Sequence, residues 1–211
     1  MKPASFTTAL AIGSLLTAAV AHGAPALEVI APKVTNFTVP SVVNSLRVPV
    51  TAFTATHKPA ATGFLITESS SRPSPAAAGW SGSPPASYSA PAPGVRTLYA
   101  WAKDMAGNVS APLTATVTID NTRPVVTTFT IPATTTSLTI PIAAFTATDN
   151  LAVAGYLVTL TSTLPSPQDA GWTTNPPTRF TLATPGTVTL YAWTRDQAGN
   201  LSAAKSAATT V

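Results

Sequence analysis

The sequence predicts an all-β protein made of two duplicated sandwich domains, and three observations predict it. Residues 34–110 align with residues 126–202 at a constant offset of 92 without a gap, and 38 of the 77 aligned positions are identical. Within each copy, short runs of β-branched and aromatic residues alternate with Pro, Gly, Ser and Asn, the pattern of strands and turns. No segment carries the apolar period of a helix. A period of 92 is too long for a solenoid unit and close to the size of a small β domain, so the copies read as whole domains joined head to tail.

Taken in chain order, residues 1–23 read as a secretory signal peptide. Lys2 gives a positive start, Leu10–Val20 is apolar or small, and Ala19-Val20-Ala21 or Ala21-His22-Gly23 supplies small residues for cleavage. That run is too short to span a bilayer, which needs about 20 apolar residues, and no later segment approaches the length. The chain is therefore expected outside the cytoplasm, extracellular, on the cell surface or periplasmic, with no integral membrane segment after cleavage.

A linker is expected over 24–32, a first domain over 33–120, a linker over 121–124 and a second domain over 125–211. In the first domain, strands are predicted at 34–39, 46–56, 62–69, a short one around Trp80, then 86–90, 95–103 and 113–119. The second domain repeats the set shifted by 92. About seven short strands per repeat match an immunoglobulin-like Greek-key sandwich, two antiparallel sheets that bury alternate side chains. Pro49 and Pro141 fall inside the second strand, where a missing N–H predicts an interruption. The proline-rich stretches 72–85 and 164–177 predict a long loop flanking an edge strand.

Composition excludes several function classes. There is no cysteine, so packing alone must hold each repeat, and thiol catalysis and cysteine metal sites are absent. Charged residues make up only 9% of the chain, and its basic side chains are scattered with no run of three, so no nucleic-acid face is expected. The seven carboxylates and His57, the one histidine beyond the predicted signal, offer no matched Ser-His-Asp set, because His57 aligns with Asp149. The residues thus predict a protein that is not an enzyme.

The segment Leu98-Tyr-Ala-Trp-Ala-Lys-Asp104-Met-Ala-Gly-Asn-Val-Ser110 recurs as Leu190-Tyr-Ala-Trp-Thr-Arg-Asp196-Gln-Ala-Gly-Asn-Leu-Ser202. With Phe-Thr-Ala-Thr-Asp149-Asn150 and the linker Asp120-Asn-Thr-Arg-Pro124, it resembles the tandem bacterial immunoglobulin-like or fibronectin-type-III-like modules of exported and cell-surface proteins. The resemblance covers residues 33–211 and implies a spacer, an adhesive unit or an accessory module, with a protein or glycan partner at the cell surface. The first repeat departs from the pattern where His57-Lys58 replaces the Asp-Asn pair.

Two candidate sites follow. In such a sandwich the entering chain, the loop after the second strand and the turn before the last strand share one pole. In the second repeat that pole gathers Asp120, Asp149, Asn150 and Asp196, with Asn121 and Asn200 beside them, an oxygen-rich set suited to calcium at the junction between domains. The same residues also read as plain turn formers whose side chains bond nearby N–H groups. The second candidate is an aromatic platform of Tyr99, Trp101, Tyr191 and Trp193. If these rings face solvent they suit a sugar, and if they face inward they are core. Asn-x-Ser/Thr triplets begin at Asn36, Asn108 and Asn200, and the last two lie in the recurring turn, whose geometry explains them. The predicted function is therefore an exported structural or adhesive repeat protein, with a non-catalytic carbohydrate-binding module as the alternative.

Overall fold

The computed structural model describes residues 30–211, so the predicted signal peptide and most of the predicted first linker lie outside the described residues. The described residues form strands joined by turns and loops, with no helix among them.

In the first repeat, β1 (Lys33–Thr38) pairs antiparallel with β4 (Ala52–Thr56), and β3 (Arg47–Pro49) pairs with β6 (Ser87–Ser89). The predicted second strand is thus broken after Pro49 into β3 and β4. The two halves take different neighbours, and the N–H groups of Val50 and Thr51 leave the ladder for Ala86 O and Thr38 O, both at 2.9 Å. The facing layer runs β2 (Val42–Val43), β8 (Leu113–Ile119), β7 (Gly94–Lys103) and β5 (Gly63–Thr67). The two-residue β2, parallel to β8, is absent from the prediction because two valines are too short to show an alternation. Around Trp80 there is a single bridge, Phe64 to Ser81, in place of a strand.

The second repeat follows the same plan. β9 (Val125–Thr130) pairs with β11 (Ala144–Thr148), and β10 (Thr139–Pro141) pairs with β13 (Arg179–Thr181). The facing sheet is β12 (Val153–Thr159), β14 (Thr187–Asp196) and β15 (Lys205–Thr210). A lone parallel bridge, Thr134 to Thr210, stands where the first repeat has β2. Each repeat is an all-β sandwich of the immunoglobulin-like kind, and every strand pairing among the described residues stays within one repeat.

Side-chain spacing explains the core. Val34 and Phe37 are three apart and both buried, which strict alternation forbids, and a register shift between Val34 and Asn36 supplies the extra residue. In β7, Leu98, Ala100 and Ala102 are fully buried, and they share one core cluster with Phe64 of the neighbouring β5 and with Val48 and Phe53 of the other layer. Phe53 meets Phe37 and Phe64 edge-on at 5.5 and 5.4 Å, and Phe145 meets Phe129 and Tyr156 at 5.5 and 5.1 Å in the second repeat. The core is accordingly in two clusters, one from residues 34–119 and one from 126–211.

Candidate metal centre

The chain between the repeats ends β8 at Ile119 and delivers Asp120 to the pole where β11 hands over to the 149–152 loop and β14 closes into the 196–200 turn. There one oxygen from each of Asp120, Asp149 and Asp196 comes to lie within 4.8 Å of the other two. Asp120 and Asp196 are 3% and 2% exposed, and Asp149 is half-buried.

Local turn chemistry uses part of this set. Asp149 Oδ2 accepts the N–H groups of Leu151 and Ala152 at 3.0 and 3.2 Å, and Asp120 Oδ1 accepts that of Thr122 at 3.0 Å. Asp196 is held from its own turn: Asn200 donates its N–H to Oδ1 at 2.8 Å and its amide to Oδ2 at 2.6 Å. That amide also donates to Asp120 O at 2.8 Å, which fastens the turn to the inter-repeat chain. Asn150, expected as an oxygen ligand, is placed as a donor to Asp120 Oδ1 at 3.2 Å.

The second oxygens are a different matter, because Asp120 Oδ2 and Asp149 Oδ1 are buried without a hydrogen-bond partner. Burial pushes the Asp196 carboxyl above its usual range despite the bonds from Asn200, and the charges of Asp149 and Asp120 push it further. Buried, mutually repelling and under-bonded acceptors are what a cation relieves. Calcium takes oxygens at about 2.4 Å, so two on opposite sides of the ion are about 4.8 Å apart, and three carboxylates gathered within that distance of one another are near enough to converge on one ion.

The equivalent pole of the first repeat holds a contact that sequence comparison passed over. His57, aligned with Asp149, places Nε2 3.3 Å from Asp104 Oδ2. Asn108 binds Asp104 as Asn200 binds Asp196, at 2.8 Å through its N–H and 2.7 Å through its amide. Burial raises the Asp104 carboxyl, but the Asn108 bonds and the His57 charge outweigh that and leave it below the usual range. The offset of 92 applied to both residues was the available signal.

The aromatic candidates divide. Trp101 and Trp193 are 1% and 3% exposed, and their indole N–H groups reach Thr67 Oγ1 at 2.9 Å and Thr159 Oγ1 at 3.0 Å. Tyr99 and Tyr191 are half-buried. As the alternation predicts, these rings lie opposite Leu98, Ala100 and Ala102, yet that face is covered too: Trp101 packs with Leu65, Val109 and Trp80 in a satellite cluster. The proline-rich loop closes it. Trp80 binds Ser74 O at 3.0 Å, and Lys103 lies over the Trp80 ring while donating to Pro75 O at 2.6 Å. Trp172, Arg195 and the carbonyl of Pro167 repeat the arrangement.

No protein-family model matches the chain. No curated protein matches it either. Among solved structures it is similar to the fibronectin(III)-like modules of Clostridium thermocellum CbhA, at 16% identity and a TM-score of 0.47, over 83% of this chain and 94% of that one. It is also similar to Drosophila N-cadherin EC1-4, at 14% identity and a TM-score of 0.23, over 85% of this chain and 49% of that one. Neither likeness bears on function at such identities.

Proposed function

We propose that the chain is an exported repeat protein whose two immunoglobulin-like domains, 33–120 and 125–211, act as a spacer or protein-binding unit, and that a calcium ion held by Asp120, Asp149 and Asp196 stiffens the join between them. The observation that carries this reading is the convergence of three carboxylates from three separated segments, two of them with a buried oxygen that no protein group satisfies.

The ion would supply charge neutralisation and a fixed angle. Asp120 belongs to the short chain between the repeats, while Asp149 and Asp196 belong to the second repeat, so one ion ties the joining chain to that repeat. A short linker alone leaves the angle between domains free. The signal-like start of the chain suits an exported protein. No helix among the described residues is long and apolar enough to cross a membrane. The sugar-binding alternative draws no support from the tryptophans, since both are covered.

Small-angle scattering of the mature protein with calcium, and again with excess chelator, tests the reading. A two-lobed particle that becomes more flexible on chelation is the expected result. A profile indifferent to calcium, together with no heat of calcium binding by calorimetry, would remove the ion.

A further inference from the structure

A groove of about 270 Å³ opens beside this junction, and its walls come from both repeats: Asn44 and Arg123 on one side, Leu164, Pro167, Asn200 and Leu201 on the other. The duplication provides an internal comparison for it. In the first repeat a Cβ on Gly107 would meet Pro75 at 3.3 Å, so the proline-rich loop rests against the turn. In the second repeat the aligned Gly199 faces open space, with nothing within 4 Å of its Cβ position. The same loop and turn are closed in one copy and parted in the other.

The groove is apolar along Leu164, Pro167 and Leu201, and its polar groups are few and differ in kind. Arg123 is exposed and forms no ion pair among the described residues. The Asn200 amide nitrogen is taken by Asp120 and Asp196, which leaves its carbonyl oxygen to accept. Asn44 supplies a further amide. One cation, one acceptor and an apolar wall in a space this small match a residue that carries a carboxylate, an N–H and an apolar side chain together. An internal acidic residue spends its side chain on the carboxylate and brings no apolar side chain of its own.

We infer that this groove captures the C-terminal residue of a partner polypeptide, with the carboxylate on Arg123, the last N–H on Asn200 and an apolar side chain against Leu164, Pro167 and Leu201. Guanidinium and carboxylate form the stronger, charge-assisted class of hydrogen bond, so the anion supplies selectivity and the apolar wall supplies contact area. The inference does not rest on the calcium reading, although Asn200 serves both sites.

The test is nitrogen-15 NMR titration of the mature protein, in calcium and in chelator, with the peptide Gly-Gly-Ala-Leu as free acid and as C-terminal amide. The free acid is expected to shift the amide signals of Asn44, Gly199, Asn200 and Leu201, and amidation or Arg123→Gln is expected to weaken binding about tenfold. Arg123 is exposed, so the variant keeps its fold, which its spectrum verifies directly. Equal binding of acid and amide, shifts confined to other surfaces, or no shift up to about 10 mM peptide would overturn the inference. Shifts in both buffers with no calcium heat would fail the ion and leave the groove standing.

Discussion

Replacing Asp149 by asparagine is expected to stabilise the protein in chelator and destabilise it in calcium, and this reversal of sign is the sharpest consequence of the junction geometry. The three carboxylates have oxygens within 4.8 Å of one another. At an effective dielectric of about 20, two unit charges at that distance repel by about 3.5 kcal/mol, so three ionised groups strain the pole unless a cation sits among them. Asp149 is only half-buried, and solvent screening reduces the share it relieves to about 1 kcal/mol. Asparagine preserves the volume and one oxygen for the N–H groups of Leu151 and Ala152. In chelator the variant should therefore melt about 4–8 °C above the parent, the response of a domain of this size to about 1 kcal/mol.

In calcium the balance inverts. An ion present at a hundred times its dissociation constant stabilises the parent by about 2.7 kcal/mol, most of which a site with one carboxylate fewer forfeits. Differential scanning calorimetry at neutral pH and low salt, with millimolar calcium or excess chelator, reads both halves. A variant less stable than the parent in chelator would refute the repulsion argument, because Asp149 would then be worth more as a hydrogen-bond acceptor than it costs as a charge. A parent whose melting temperature ignores calcium would refute the other half.

Three further outcomes follow from the same geometry. Asp104 has its carboxyl held below the usual range in the folded state, so it contributes stability above its unfolded value of about 3.9 that disappears as pH falls through the folded one. Asp104→Asn should accordingly cost stability at neutral pH and progressively less as pH falls below the unfolded value, read by urea unfolding across that range. Leu98→Ala and Leu190→Ala remove fully buried side chains at matched positions and should each cost about 2–5 kcal/mol, measured by chemical denaturation. A negligible cost at either site would contradict its place in the core. Trp101→Phe keeps the ring against Leu65 and Val109 but forfeits the bond to Thr67, a loss of about 1 kcal/mol by the same assay.

The parts of the fold that were legible in the sequence are those where a local pattern has one outcome. Alternation in 94–103 assigns Leu98, Ala100 and Ala102 to one face whatever surrounds them, and Pro49 breaks its strand wherever that strand lies. Legibility ends where a third segment intervenes. Period-two spacing separates Trp101 from Leu98 but is silent on what covers Trp101. The answer lies in the proline-rich loop 72–85, whose prolines read as an interruption and whose Trp80, Ser74 and Pro75 turn out to cap the sheet. β2 was invisible for a different reason, since its placement depends on a parallel partner 76 residues away, Thr118 for Val42.

At the pole, sequence named the three acids but left calcium and turn chemistry open, and comparison of the repeats weighs the two. Turn chemistry is common to both: Asp104 and Asp196 are each locked by the asparagine four residues on, through the same two bonds. It therefore accounts for that aspartate in either copy, with or without an ion. It also accounts for one oxygen of Asp120 and one of Asp149. The other two oxygens are buried and unbonded, at a pole whose third carboxylate is already pushed toward its protonated form, and turn formation leaves them unsatisfied. The first repeat meets the same requirement differently, with His57 set against Asp104. The pole that sets an imidazole beside its aspartate in one copy gathers three aspartates in the other, none of them in a salt bridge among the described residues, and that difference is what the proposed cation answers.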